Sequence, residues 1–529
     1  MRKIIVLILL MLPLCVMAQR GNVIRGHCMP DLTDDEVLLT RGVQRKQLPA
    51  INTQWDPAHT YRQLVILVAF KGDSTYFNIE NPHETYDKMF NENGYNQGNG
   101  KGCVADYFRD QSYGLFNMQF DVFGPYEISG KAQPYNNPDA ETRNYGRDAM
   151  REATQMMIDE NPEHDFSVYD WNGNGVVNQV IYIFAGYSGN VDNKKAYGYL
   201  WPNTSSFTAL TTPTGQQISP YTASAECWLT TSAYRSCGIG TICHEFSHSL
   251  GLPDIYPTSG KVGFSMVDEW DLMDGGNFTN YGWCPPSYTS LEKMLLGWLT
   301  PIELTDATTI TGMRSIEDGG ETYMIKHSNK EYYLLENRQW KGWDVGVPGK
   351  GLVVFHVDYD ESKWSSNKVN NTKGFPRFSM VHADGLDYDG WDEVIDAREL
   401  SQYIETARMH NRHLSTSPYP WTTDSTDFVN NLLTDKSSPA SLMYNENDAG
   451  SKYLSKAIRN ITMTDDGLIS FDFGGYDPTH VRQVTLRSVE PTRVYDLNGR
   501  YVGQRIESQS PGLYVVRQSD GTTKKVVKR

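Results

Sequence analysis

The stretch His244-Glu245-Phe246-Ser247-His248-Ser249-Leu250-Gly251-Leu252-Pro253-Asp254 decides how the rest of the chain is read. On a helix, residues four apart share a face one turn from each other, so His244 and His248 present two imidazoles to one point. Glu245 stands next to His244, where its carboxylate can lie beside a shared metal rather than on it. That is the place for a general base acting on metal-bound water. Gly251 can take positive φ and turn the chain back after the helix. Asp254 then returns ten residues after His244, and a carboxylate oxygen is a competent zinc ligand. The expected site is zinc on His244, His248 and Asp254, with one open position and Glu245 as base.

The same ten-residue spacing serves the third ligand in zincins of the metzincin type, where it is usually His. A competing third ligand is Glu269, in the manner of thermolysin-like enzymes, but Gly251 makes the short turn to Asp254 feasible. Downstream, Trp270-Asp271-Leu272-Met273-Asp274-Gly275-Gly276 places a Met in a tight Gly-rich turn. Met273 is therefore expected to support the site as an apolar floor. Two rival readings exist. One is a surface adhesin or glycan-binding protein with an inactive zincin domain, and an intact Glu245 speaks against it. The other is a metal-dependent hydrolase of non-peptide esters or amides.

Around the motif, residues 63–70 (QLVILVAF) and 179–185 (QVIYIFA) read as buried strands. Residues 104–111, 140–158, 238–250 and 288–298 have helical spacing. After Pro301 short alternating runs, such as 331–336 and 351–357, are separated by Gly, Asn, Asp and Pro. The expected fold class is α+β: a zincin/metzincin-like catalytic domain followed by β-sandwich-type modules. The expected boundaries are a signal peptide over 1–18, a leader or short pro-segment over 19–58, the catalytic domain over 59–305, a β-rich domain over 306–477 and a C-terminal β module over 478–529. The signal rests on the basic start Met1-Arg2-Lys3, the apolar run 4–16 and small residues before Gln19, and it implies a secreted or cell-surface protein.

A second constellation is Asp170-Trp171-Asn172-Gly173-Asn174-Gly175-Val176-Val177-Asn178. Asp170, Asn172, Asn174 and Asn178 supply oxygens at positions 1, 3, 5 and 9 with Gly at 6, a pattern that can wrap calcium. Ile181 stands at position 12, so the loop is not an EF-hand, and an Asn/Gly-rich turn is the plainer reading. Without Cys15 the chain keeps six cysteines, an even number that permits disulfides after export. Cys28 is read as a disulfide partner before a zinc-capping thiolate. The 529 residues carry 48 Lys+Arg against 64 Asp+Glu, a net charge of −16. That balance argues against a nucleic-acid partner, and no later segment is apolar enough for a membrane span.

Taken together, Asp106-Tyr107-Phe108 with Gln111-Ser112-Tyr113-Gly114, residues 166–178, 244–254, 270–276 and 291–298 resemble the immune inhibitor A-like secreted metallopeptidases. The resemblance covers roughly residues 60–305 and extends toward 475. It implies a zinc endopeptidase acting on protein or peptide substrates, with two His and an Asp as ligands and a Glu base. Those roles fall on His244, His248, Asp254 and Glu245. The C-terminal stretch, with Val494-Tyr495-Asp496-Leu497-Asn498-Gly499-Arg500 and a basic end, resembles the sorting tails of type IX secretion substrates, which implies that secretion machinery as a partner.

Overall fold

The computed structural model describes residues 48–71, 76–129, 145–188, 202–229, 234–259, 265–372, 374–385, 414–423, 428–474, 493–496, 501–503, 510, 512–517 and 523–528. The expected signal peptide and Cys28 lie outside them. The chain divides into two compact units, one reaching Pro420 and resuming over Asn431–Gly474, the other made of Trp421–Asn430 and the part from Gly475 onward. No helix among the described residues is long and apolar enough to cross a membrane.

The first unit begins with a mixed sheet. Strands β1 (Thr60–Phe70), β2 (Asn117–Ile128), β3 (Val180–Tyr187), β4 (Asn203–Thr211) and β5 (Gln217–Leu229) lie in the order β2-β1-β3-β5-β4, and β6 (Tyr234–Ser236) pairs with β5. β2, β1, β3 and β5 run parallel, while β4 is an antiparallel edge. β1 is apolar on both faces because both are covered. Val65, Leu67 and Ala69 enter one core cluster, and Leu64, Ile66, Val68 and Phe70 enter the other. This two-sided burial explains why residues 63–70 read as a continuous apolar run rather than an alternating one.

Helices α1 (Pro82–Asn91), α2 (Val104–Gln111), α3 (Tyr145–Glu160), α4 (Gly240–Ser249), α5 (Ser290–Leu295) and α6 (Glu361–Ser365) complete the α part. α3 buries Ala149, Met150, Ala153 and Met157 on one face of the sheet. α2 and α4 bury Phe108, Ile242 and Phe246 on the other. α5 is shorter than the helical spacing of 288–298 suggests. Its start is a capping box, in which Glu292 and Thr289 satisfy each other's backbone amides.

The β-rich stretch contributes β7 (Ile302–Glu303), β8 (Thr308–Met313), β9 (Tyr323–Lys326), β10 (Glu331–Arg338), β11 (Gly351–Asp358) and β12 (Phe378–Met380). The second unit adds β13 (Trp421–Thr422) and β14 (Val429–Asn430), and β15 (Ile458–Met463) and β16 (Ile469–Phe473) return to the first. One sheet has the order β12-β11-β10-β9-β7 and another β15-β16-β8. β10 and β11 do not face water on alternate residues, because every residue of both is buried. The polar members are held inside by partners. Arg338, wholly buried, donates to Asp344 at 2.6 and 2.7 Å and to Glu336 at 2.9 Å. The cluster that holds Phe246, Trp270 and Met273 also holds Leu334, Val353 and Phe355. The helical part and this sheet therefore share one core.

In the second unit β17 (Arg493–Asp496), β18 (Tyr501–Gly503), β19 (Gly512–Arg517) and β20 (Thr523–Lys528) form an antiparallel sheet in the order β18-β17-β19-β20. β17 pairs with β18 through Val494 opposite Gly503 and Tyr495 opposite Tyr501. The even cysteine count does not translate into pairing among the described residues. Cys103, Cys227, Cys237, Cys243 and Cys284 are all free and buried.

Candidate metal centre and active site

α4 carries the motif, and its entry and exit depend on glycine. At Gly240 a Cβ would lie 2.0 Å from the Asn277 carbonyl oxygen, so the start of α4 can pack directly against the backbone of 277–282. At the far end Gly251 has φ +98°, the left-handed region that the turn needs. A Cβ there would also strike Ile51 Cγ1 at 2.7 Å and the Pro49 carbonyl oxygen at 2.8 Å. Residues 48–58, expected as the end of a leader, thus pass close over the exit of the motif helix. Trp55 donates from its indole to the Leu296 carbonyl at 2.6 Å and packs on Phe116.

The turn brings His244, His248 and Asp254 together. One ligand atom from each lies within 4.8 Å of the others, and all three residues are buried. Among the described residues this is the one such group of His, Cys, Asp and Glu. Asp254 Oδ1 lies 3.1 Å from His244 Nε2 and 3.2 Å from His248 Nε2. Glu269 is half-buried and outside this group.

The other ring nitrogens are committed. His244 Nδ1 is 2.7 Å from the Leu272 carbonyl oxygen, and His248 Nδ1 is 2.7 Å from that of Leu252. A carbonyl only accepts, so each Nδ1 carries the hydrogen and each neutral imidazole presents a bare Nε2 lone pair. Two lone pairs would then face a carboxylate oxygen. That arrangement needs a positive charge between them, either protons or a cation, and the donor set of two imidazoles and a carboxylate suits zinc. The electrostatics of the protein alone make the same point. Burial lowers His248, but Asp254 beside it wins and raises its pKa to about 9. Burial raises Asp254, but His248 and His244 hold it well below the usual carboxylate range.

Glu245 points into the same buried region. The Thr204 hydroxyl on β4 is 3.1 Å from Glu245 Oε2 and 2.8 Å from the Glu245 carbonyl oxygen. Oε1 is buried and has no hydrogen-bond partner. Burial raises the pKa of this carboxyl, opposed by the two histidines.

Met273 is fully buried in the same core, and its turn is wired to the site through backbone. Its carbonyl accepts from Ile255 N–H at 2.8 Å, and the neighbouring Leu272 carbonyl is the one that fixes His244. Its own N–H donates to Asp271 Oδ1 at 2.6 Å. Burial first, then the charge of the neighbouring Glu292 carboxylate, pushes the Asp271 carboxyl up.

Residues 67–294 match the family model described as Immune inhibitor A peptidase M6, catalytic domain. Among curated relatives the chain is similar to Immune inhibitor A of Bacillus thuringiensis subsp. alesti, 24% identical over 375 residues, covering 62% of this chain and 52% of the relative. It is also similar to the pre-pro-metalloprotease PrtV of Vibrio cholerae serotype O1 (strain M66-2), 25% identical over 237 residues, covering 41% of this chain and 26% of that protein. The chain thus spans about half the length of the first relative and about a quarter of the second. These likenesses support a peptidase M6 catalytic domain in a chain of mixed α/β structure. The matched stretch contains His244, Glu245, His248, Asp254 and Met273.

The Asp170 loop folds as a chain of side-chain-to-backbone turns. Asp170 accepts from the Asn174 and Gly175 amides at 3.0 and 2.7 Å, Asn174 from Val176 at 2.9 Å and Asn178 from Trp171 at 2.7 Å. Asn172 accepts from Asn174 at 3.2 Å. The four oxygen-bearing residues are thus gathered on one short loop, each already serving as an acceptor for the backbone.

Two site residues escaped the sequence reading. Thr204 is an ordinary Thr in a polar strand, 41 residues from Glu245. Asn367 holds Asp254 from 113 residues downstream, with Asp254 N–H donating to Asn367 Oδ1 and Asn367 Nδ2 donating to Asp254 Oδ2, both at 2.6 Å.

Proposed function

We propose that this chain is an exported zinc-dependent endopeptidase. In this reading His244, His248 and Asp254 hold the metal, Glu245 is the general base, and protein or peptide chains are the substrates. The observation that carries it is the convergence of two bare Nε2 lone pairs and one carboxylate oxygen beside a buried, unpartnered carboxylate oxygen of Glu245. Zinc held there supplies a Lewis acid that polarises a substrate carbonyl and makes water acidic enough to ionise near neutral pH. Glu245 takes the proton on Oε1 while Thr204 holds Oε2, and it then returns the proton to the leaving amine. A buried carboxyl with a raised pKa is suited to both halves of that transfer. The Leu272 and Leu252 carbonyls keep the two imidazoles in one tautomer and orientation.

Zinc content measured beside turnover on a protein substrate tests this. Glu245→Gln keeps the shape of the side chain but cannot accept a proton. It should retain zinc and lose roughly a hundred- to ten-thousand-fold in turnover. A zinc-loaded Glu245→Gln protein with wild-type turnover would refute the role of the base, and His248→Ala with full zinc would refute the ligand set.

The finer fold reading, a metzincin-like catalytic domain with Met273 as floor and sandwich-type β modules behind it, belongs to the same proposal. Calcium on Asp170, Asn172, Asn174 and Asn178 is a further part, supported by the clustering of those oxygens on one loop. The C-terminal module, residues 478–529, is proposed to address the chain to type IX secretion machinery. Deleting 478–529 should then leave peptidase activity and abolish release from the cell, and undiminished release would refute it.

A further inference from the structure

We infer that Asn367 is a positioning residue that aims the carboxylate of Asp254, so that the geometry of the metal centre is set in part from the β-rich half of the chain. The inference rests on the zinc reading above. Asp254 has two carboxylate oxygens and could bind through either or rotate between them. Asn367 removes that freedom. Its carbonyl accepts the Asp254 backbone N–H, and its amide donates to Asp254 Oδ2, each at 2.6 Å. The two bonds close a ring through the backbone and side chain of one residue. Oδ2 is thereby occupied, and Oδ1 is left facing His244 Nε2 and His248 Nε2.

The backbone at Asn367 sharpens the point. α6 ends in paired bonds from Asn367 N–H to the Trp364 carbonyl and from Lys368 N–H to the Lys363 carbonyl, at 3.1 and 2.9 Å. That is the helix stop in which the residue after the cap takes the left-handed conformation, and Asn367 has φ 57°. Glycine is the usual occupant of such a position, since it carries no Cβ penalty. Asn tolerates it less easily, so a side chain here has work beyond ending the helix. The neighbours brace the same loop without touching the carboxylate. Asn370 donates to the Ile255 carbonyl at 2.9 Å, and Asn371 accepts from the Thr258 amide at 2.7 Å. Asn367 alone of the three reaches the ligand.

This separates aiming from bracing. Asn367→Gly suits the left-handed backbone and removes both bonds to Asp254. Asn367→Asp also tolerates that backbone, keeps the bond from Asp254 N–H, and sets a carboxylate against Oδ2. Asn371→Ala loosens the loop only. The measurement is the zinc dissociation constant of metal-stripped protein against a competing chelator, with the melting temperature of the metal-free form alongside. Asn367→Gly and Asn367→Asp should weaken zinc by about 10–100-fold, the usual cost of losing a partner that orients a ligand. The melting temperature of metal-free Asn367→Gly should stay near wild type, while Asn371→Ala should keep its zinc affinity. Wild-type affinity in both Asn367 variants would overturn the inference, as would equal weakening in Asn371→Ala. A wild-type chain that binds no zinc tightly would overturn the metal site, and this inference with it.

Discussion

Replacing Arg338 by Met tests whether the shared core depends on its buried charge. The guanidinium is wholly buried and makes five contacts: two with Asp344, one with Glu336, and one each with the Trp270 and Ser287 carbonyls. It also lies 5.7 Å from the Trp270 ring centroid. Met fills similar length but leaves Glu336 and Asp344 buried without their cation. The Ser290 and Ser287 amides still donate to them, at 2.7 and 2.9 Å, which is too little to hold two charges. Breaking a buried pair by removing one partner costs about 3–5 kcal/mol. An unfolding entropy of about 2.1 cal/mol/K per residue over roughly 350 residues is about 0.7 kcal/mol/K, so the melting temperature should fall by about 4–7 °C. Differential scanning calorimetry reads this directly. Adding Glu336→Gln and Asp344→Asn to Arg338→Met removes the stranded charges and should restore at least half of the loss. A single variant within about 1 °C of wild type, or a triple variant no more stable than the single one, would refute the reasoning.

Adding calcium to metal-stripped protein should raise its melting temperature, and Asp170→Ala should abolish the rise, because a ligand of the native state stabilises it by mass action; no rise would make the loop a turn only. Trp55→Ala should lower stability by about 2–4 kcal/mol in denaturant titrations, because Trp55 is packed on Phe116 and Trp298. An unchanged midpoint would show that residues 48–58 are dispensable. Acid should expose Glu331. Burial raises its pKa, but His356 at 2.8 Å and the Tyr444 and Asn445 amides win and lower it to about 2 from 4.5. The unfolded chain then binds the extra proton between those values, so this stabilisation is complete above about pH 4.5 and is lost toward pH 2. It amounts to about 3 kcal/mol, and Glu331→Gln should flatten the acid limb of the stability curve; an unaltered limb would refute the assignment.

The clustering of His244, His248 and Asp254 was legible because every step to it is local. Helical period pairs His244 with His248, and one glycine turn returns Asp254. Asn367 and Thr204 were not legible, since their proximity depends on how distant segments fold and no spacing rule reaches that far. The strand at 63–70 could be read because a sheet covered on both faces demands an unbroken apolar run. β10 misled for the opposite reason. Its Glu, Asn and Arg look like a wet face, yet they are satisfied by partners inside the core. The change of texture after Pro301 likewise reads as a border, although side chains from both sides of it occupy one cluster.

The five buried thiols make the folded chain a reporter of its own opening. Burial pushes Cys103 and Cys284 up to about 12 and the other three upward as well, so almost no thiolate exists near neutral pH. An alkylating reagent therefore meets them only in molecules that have opened. Each site then keeps a separate clock. Cys243 sits within the motif helix, Cys103 caps α2, and Cys227 and Cys237 flank the β5–β6 hairpin. Peptide mapping of label against time would rank the order in which these regions come apart.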